Sequence, residues 1–278
     1  MPEGPECHHT AYKLNSALRG KTLTNLRIVS CRYEVHGQPK GFAELQAAVK
    51  AVNVTILGVQ AKGKLVYFTL SNEMVILSTL GLSGAWTKTY SKHCGIALEA
   101  RGPPITYWFR DQLHYGTFSV IKRSNLPRKL ATLGPDVTLG APITDIPNLC
   151  RKHPEWDVSK LLMNQSKVSG IGNYLKAEIL YAARICPHAK LKELSEKQLV
   201  ELGTKMVEIP AATFRAKRRI GPYITLKVYN KSRDPQGNKV IKTKTGDGRN
   251  SHWVPAIQDP TDVYTSAAPK TKRQPKAK

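Results

Sequence analysis

The sequence predicts an α+β chain with more than one domain: an antiparallel β-sandwich with flanking helices, then a helical domain, then a short β-hairpin. Three observations predict it. Short β-rich runs recur between Leu23 and Lys122, spaced like antiparallel strands and not like βαβ units. From Asp145 to Arg219 the apolar period becomes helical and the strand signals stop. A hairpin candidate follows Leu226, and beyond Asp259 the chain is rich in proline and lysine.

Taken in order, Ala11, Leu14, Ala17 and Leu18 recur at helical spacing, with Gly20 as the stop. The strand candidates are Leu26 to Ser30, Val54 to Val59, Leu65 to Leu70, Met74 to Ser78, Gly95 to Leu98, Thr106 to Phe109 and Thr117 to Ile121. Residues 125 to 134 read as a connecting helix ending at Gly134-Pro135, and a domain boundary falls near 135 to 145. Helices are expected over Ile146 to His153, Val158 to Gln165, Asn173 to Arg184 and Ser195 to about Arg219. Ser195 and Gln198 make a capping-box start to the last, and Pro210 should kink or divide it. The hairpin candidate comprises Leu226 to Asn230, the turn Asp234-Pro235-Gln236-Gly237, Val240 to Thr245, then Trp253 to Ile257.

The chain has 278 residues, with 43 Lys plus Arg against 20 Asp plus Glu, a formal charge of +23. Such a surplus fits nucleic acid, an anionic membrane surface or an acidic partner, in that order. About half of it lies in the last quarter, where cations from Arg215 to Arg249 alternate with Tyr223, Tyr229 and apolar residues. Composition excludes collagen, coiled coil and a disulfide scaffold. The 5 cysteines are scattered, with no C-x-x-C pair, which points to a reducing, intracellular compartment. Cys7-His8-His9 and Cys186-Pro187-His188 lack the paired spacing of a zinc site, so no metal and no cofactor are expected. Glu3 and Glu6 argue against a secretory signal, and the run from Met74 to Trp86 is too short to span a bilayer.

Two segments can carry chemistry. Methionine before proline is normally trimmed, which leaves Pro2 as a secondary amine with a reference pKa of about 8. Such an amine can attack an electrophilic carbon and form an iminium, and Glu3 beside it can shuttle protons. A plain solvated start is the alternative. In Ser169-Gly170-Ile171-Gly172-Asn173, a glycine pair opening a helix lets backbone N–H groups approach a phosphate, with Asn173 as a further donor. The same glycines also suit a tight interhelical turn.

Together, Pro2-Glu3-Gly4-Pro5-Glu6 and Gly170-Ile171-Gly172-Asn173 resemble the Fpg/Nei family, the formamidopyrimidine-DNA glycosylases and endonuclease VIII proteins that excise oxidised bases. The resemblance covers residues 2 to 258, and Gly4 looks more like the endonuclease VIII branch. Val59-Gln60-Ala61-Lys62-Gly63-Lys64-Leu65 places Lys64 where the family has a phosphate-contacting lysine, and Leu133-Gly134-Pro135-Asp136 matches its domain junction. Most members carry a four-cysteine zinc finger near the C-terminus. Here no cysteine follows Cys186, and the stretch from Val228 through Gly248-Arg249-Asn250-Ser251-His252-Trp253 to Gln258 resembles a zincless finger. Its arginine aligns with Arg249, and Trp253, Val254 and Ile257 would form its small core.

The resemblance implies domains at 1–136 (catalytic β-sandwich), 137–222 (helix-two-turns-helix), 223–259 (zincless finger) and 260–278 (disordered basic tail). It implies a bifunctional DNA glycosylase and AP lyase acting on oxidised pyrimidines and hydantoins in a cleft between the domains. Pro2 would be the nucleophile, Glu3 the proton carrier and Glu6 a support, with Lys64, Arg249, Asn173 and Gly172 at phosphates. Leu82, Leu113 and Tyr115 align with the side chains that fill the gap left by the extruded base. Leu113 stands where the family has arginine and Tyr115 where it has phenylalanine, so opposite-base discrimination would fall to His114 next door. The expected partner is damaged double-stranded DNA, with single-stranded or bubble DNA as a further candidate. The protein is expected to be a monomer that binds no membrane and works in the nucleus or otherwise on DNA. The rivals are an 8-oxoguanine or formamidopyrimidine-selective enzyme and a catalytically inactive damaged-DNA-binding homologue.

Overall fold

The computed structural model describes residues 2–29, 33, 37–140, 146–221, 224–259, 261, 263 and 264. The chain divides into two compact units, the first made of Met1–Ile143, Asn164–Gly172 and Val207–Ile224, the second of Thr144–Met163, Asn173–Met206 and Thr225–Lys278.

In the first unit helix α1 (Gly4–Leu18) buries Cys7, Ala11, Leu14 and Leu18, the stripe expected from helical spacing. The strands that follow are β1 (Thr22–Ile28), β2 (Val54–Lys62), β3 (Leu65–Leu70), β4 (Met74–Thr79), β5 (Ala85–Thr87), β6 (Cys94–Arg101), β7 (Ile105–Arg110) and β8 (Thr117–Lys122). All pair antiparallel, in the order β5-β7-β6-β1-β2-β3-β4-β8. The β1–β2 ladder is only two residue pairs long, so the ladder has two four-stranded halves. Residues of both halves share one core with α1: Leu26, Ile96 and Phe109 from one, Val54, Phe68 and Phe118 from the other. The fold class is the expected antiparallel sandwich followed by helices.

Among the described residues, a short strand and a helix of this unit escaped the sequence reading. Strand β5 has only three residues, too few to show alternation. It nevertheless supplies Trp86, whose ring lies 5.3 Å from both Phe68 and Phe109 and whose Nε1–H donates to the buried Ser78 at 3.1 Å. Helix α2 (Phe42–Ala51) buries Phe42, Leu45 and Val49, a helical spacing present in the sequence but overlooked among strand signals. The predicted connecting helix is a 3₁₀ turn, Arg123–Asn125, continued by α3 (Leu126–Ala131).

The helices after residue 145 fall where the period placed them: α4 (Ile146–Arg151), α5 (Val158–Met163), α6 (Asn173–Ala182) and α7 (Glu196–Lys217). Helix α7 runs through Pro210 undivided, contrary to a division there, with Pro210 and Ala211 both buried. The loss of one backbone bond is thus offset by packing. The Thr213 hydroxyl donates back to the Ile209 carbonyl at 2.8 Å in the same turn.

The hairpin needs correction. Its strands are β9 (Ile241–Lys244) and β10 (Asn250–Trp253), so the connecting turn is 245–249 and not Asp234 to Gly237. Leu226 to Asn230 is not a strand, because the N–H groups of Lys227, Val228 and Tyr229 all converge on the buried Glu178 carboxylate at 2.8 to 3.0 Å. Three successive N–H groups on one carboxylate form a nest, which a strand ladder cannot do. Asp234 to Gly237 closes a local loop, its Asp234 carboxylate accepting from the Gln236 and Asn238 backbones. Pro255–Gln258 is a short helix, α8, and not a strand continuation. Order extends beyond Asp259, whose carboxylate accepts the N–H groups of Val263 and Tyr264. Residues 265–278, the rest of the expected disordered tail, lie outside the described residues, as does Tyr223.

Asp136, from the Leu-Gly-Pro-Asp motif, ties the first unit together. One carboxylate oxygen accepts from His8 Nε2 at 2.7 Å and from the Gly63 N–H at 2.6 Å, the other from the Thr138 N–H at 2.9 Å. Burial pushes its pKa up, but the His8 bond and charge and the two N–H donors outweigh burial and hold it below 3.8. A carboxyl depressed in the folded state adds stability above its unfolded pKa, and that contribution is lost as pH falls through the folded value. Asp136→Asn should therefore lower the thermal midpoint near pH 7 and flatten its fall below about pH 4. A melting series in acid checks this.

Candidate active site and nucleic-acid interface

Glu3 is the N-cap of α1, and its N–H donates to the Glu6 carboxylate at 2.9 Å. Glu6 in turn pairs with Lys217 at 2.9 Å, on the α7 turn where Arg218 stacks over the Tyr12 ring at 4.0 Å. Glu6 is thus a brace for the helix start. The Glu3 side chain is 0% exposed, and its carboxylate accepts the Gly172 N–H at 2.7 Å. A Cβ at Gly172 would lie 2.3 Å from the Glu3 carboxyl carbon, so only glycine admits the side chain. Gly172 was expected at a phosphate; its N–H here holds Glu3.

The strap extends one residue further. The Gly4 N–H donates to the Gly170 carbonyl at 2.8 Å, and a Cβ at Gly4 would sit 2.2 Å from Thr138 Oγ1. Gln165 closes the Gly170 loop, accepting from its N–H at 3.1 Å and donating to the Ile171 carbonyl at 2.9 Å. Pro2, half-buried, precedes this clamped helix start directly.

Lys64 occupies a two-residue turn, since Lys62 pairs with Leu65 across the β2–β3 hairpin. Gly63 takes φ +55°, and a Cβ there would lie 2.6 Å from Ser169 Cβ. The Cys7 thiol donates to the Lys64 carbonyl at 3.6 Å, and burial pushes its pKa far above the ordinary thiol range. Cys7 is therefore no rival nucleophile.

The three gap-filling candidates lie on two loops of the same unit. Leu113 is 52% and Tyr115 64% exposed, while Leu82 is half-buried. His114 between them adopts φ +58° and is exposed. Gly81, at φ +57°, abuts Tyr115 so closely that a Cβ would meet its carbonyl carbon at 2.5 Å.

In the second unit, one face of α6 holds the hairpin. Asn173 donates from Nδ2 to the Asn250 carbonyl at 3.0 Å, next to the exposed Arg249. Lys176 is 0% exposed, with Nζ at 3.0 Å from Asp247 and 3.2 Å from Thr245 Oγ1. The turn closes through the Thr245 N–H to the Arg249 carbonyl, 2.9 Å, and the Gly248 N–H to the Thr245 carbonyl, 2.8 Å. Trp253 is 1% exposed and donates to Thr243 Oγ1 at 2.8 Å, with the His188 ring edge-on at 5.7 Å. Val254 packs with Ala177, Tyr181, Val228 and Val240, with Ile257 against them. Sequence reasoning missed Lys176 and Asp247, although a lysine within an apolar helix face was the available signal.

Among the described residues no group of three or more His, Cys, Asp or Glu could hold a metal, and the hairpin's anchors are an ammonium, carboxylates and an indole. These residues do not fit a zinc finger. Removing one partner of a buried ion pair leaves the other charge uncompensated, so Asp247→Ala should cost about 3–5 kcal/mol. Denaturant unfolding and hydrogen exchange over 241–253 check it.

The half-buried Pro2 and the buried Glu3 carboxylate thus stand together at the start of α1, in a β-sandwich unit whose chain continues into helices and a hairpin. The formamidopyrimidine-DNA glycosylase N-terminal domain profile matches residues 1–118, and the formamidopyrimidine-DNA glycosylase H2TH domain profile matches residues 133–220. The chain belongs to the formamidopyrimidine-DNA glycosylase family, and so is a DNA glycosylase of base excision repair. Endonuclease 8 of Pectobacterium atrosepticum is 26% identical over 283 residues, covering 93% of this chain and 100% of the relative. Endonuclease 8 of Klebsiella pneumoniae subsp. pneumoniae is 26% identical over 276 residues, with the same coverage. Lactococcus lactis formamidopyrimidine-DNA glycosylase, solved bound to DNA containing an AP site, superposes with a TM-score of 0.78 at 23% identity over 92% of this chain and 99% of that one.

Proposed function

We propose that this glycosylase is bifunctional: it removes oxidised pyrimidines and hydantoins from damaged double-stranded DNA and then cuts the strand by β,δ-elimination. The observation that carries this reading is the Glu3 carboxylate, fully buried beside Pro2 and fixed by the Gly172 N–H at 2.7 Å. The neutral Pro2 nitrogen attacks C1′, the glycosidic bond breaks, and the base leaves with its bonding electrons and gains a proton. Glu3 delivers a proton to the sugar ring oxygen, the ring opens, and the nitrogen becomes an iminium. Loss of a C2′ proton then expels the 3′ phosphate, and a second elimination expels the 5′ phosphate.

Before chemistry, the damaged nucleotide must leave the stack. Leu82 and Tyr115 wedge into the gap, with Leu113 and His114 facing the unpaired base. Lys64 and Arg249 contact backbone phosphates, and Asn173 holds the hairpin that presents Arg249. The functional domains run 1–136, 137–222 and 223–259, the last a finger without zinc, in an intracellular enzyme working on DNA. The Endonuclease 8 relatives support the glycosylase reading.

Borohydride added during incubation with abasic or thymine-glycol duplex should trap a covalent protein–DNA adduct. An inactive homologue gives no adduct with either substrate, and that result overturns the lyase reading. Faster excision of 8-oxoguanine than of thymine glycol overturns the lesion preference alone.

A further inference from the structure

Asp111 is 7% exposed, and both its carboxylate oxygens are engaged. Oδ1 accepts from the Ser83 hydroxyl at 2.6 Å and Oδ2 from the Gly116 N–H at 2.5 Å. Ser83 Oγ also accepts the Leu113 N–H at 2.9 Å, and the Asp111 N–H donates to the His93 carbonyl at 2.9 Å. One carboxylate therefore spans the two loops that carry Leu82 and Leu113–Tyr115, with Ser83 as the link. Glycine at two places lets the loops close up. Besides Gly81 against Tyr115, a Cβ at Gly116 would meet the Phe109 ring at 2.7 Å and Asp111 Oδ2 at 2.9 Å. The loop between Asp111 and Gly116 is tied at both ends while its middle, Leu113 to Tyr115, is exposed.

We infer that Asp111 is a positioning residue for base extrusion: its carboxylate locks the two loops into one rigid platform, so that Leu82 and Tyr115 enter the base stack together. This rests on the wedge role proposed above. Extruding a paired, stacked nucleotide needs the platform, whereas a preformed abasic site has no base to expel and leaves the stack easily. Loss of Asp111 therefore slows removal of a damaged base far more than cleavage at an abasic site. Asparagine can restore much of the lock, its Oδ1 accepting from Gly116 and its Nδ2 donating to Ser83 Oγ. Alanine can do neither.

The test compares Asp111→Ala, Asp111→Asn and Ser83→Ala with the parent under single turnover, on a thymine-glycol duplex and on the same duplex with an abasic site. A 2-aminopurine beside the lesion reports unstacking. The expected result for Asp111→Ala is excision and unstacking slowed about tenfold or more, abasic-site cleavage within about twofold of the parent, and substantial rescue by asparagine. Parent-like excision, or an equal fall in both activities, overturns the inference. Should Asp111→Ala fail to fold, Ser83→Ala decides: selective slowing of excision supports the lock, and unchanged excision refutes it. Leu82→Ala separates this from the wedge role itself, since unchanged excision in that variant removes the wedge as well.

Discussion

Pro2→Gly will lower the borohydride-trapped adduct on an abasic duplex by about a hundredfold, with duplex affinity largely unchanged. The expectation is sharper than a simple loss of the nucleophile, because glycine still offers an amine. What changes is its chemistry and its placement. A secondary amine gives an iminium that is cationic without further protonation, while a primary amine gives an imine that must gain a proton to act as an electron sink. Proline's ring also fixes how the nitrogen is presented, and glycine leaves the amine free to rotate directly before a helix start held by the Gly4–Gly170 bond. Misplacement of a reacting atom by about 1 Å is enough for a loss of this size. Undiminished trapping in the glycine variant refutes the need for a placed secondary amine, and Cys7 cannot take the role with its thiol buried and its pKa raised.

Glu3→Gln should slow base excision by about 10²–10⁴-fold, the usual contribution of a positioned acid or base. The variant isolates proton transfer from architecture. Glutamine keeps an oxygen to accept the Gly172 N–H and keeps the volume that Gly172 accommodates, so the melting temperature should stay near that of the parent. Trapping on a preformed abasic site should persist, because an abasic sugar already exists in part as the ring-opened aldehyde, which condenses with the amine without help from Glu3. Excision at the parent rate refutes proton transfer by Glu3. A collapse of both excision and stability reassigns Glu3 to structure.

Much of the architecture was legible because it is written in local periods. The β-rich runs at Leu65–Leu70 and Met74–Thr79 and the helical spacing of α6 gave strands and helices in their observed order. Strand β5 was illegible for a physical reason: three residues cannot show a period, and its weight lies in Trp86 contacting Phe68 and Phe109 from other strands. The hairpin register failed for another. Asp234-Pro235-Gln236-Gly237 has strong turn chemistry and does turn, but which strands pair was set elsewhere, by the Lys176–Asp247 pair holding 245–249 and by Glu178 gathering the N–H groups of 227–229. At the site, Pro2, Glu3, Lys64 and Arg249 could be named from motifs, whereas Asp111 could not, since one carboxylate among exposed polar residues carries no sequence mark.

The sequence by itself determined the cast: a proline beside glutamate at the start, a glycine pair before Asn173, a basic surplus of +23 and no cysteine after Cys186. These are statements about which chemical groups exist, and they sufficed to point to a family. Only the tertiary structure decided what the groups do to one another. Gly172 turned from a presumed phosphate ligand into the residue that admits and holds Glu3, across 169 positions of chain. Spacing along a chain reports neighbours within a turn or a strand. A hydrogen bond between residues so far apart depends on how the whole unit packs, and no local pattern encodes it.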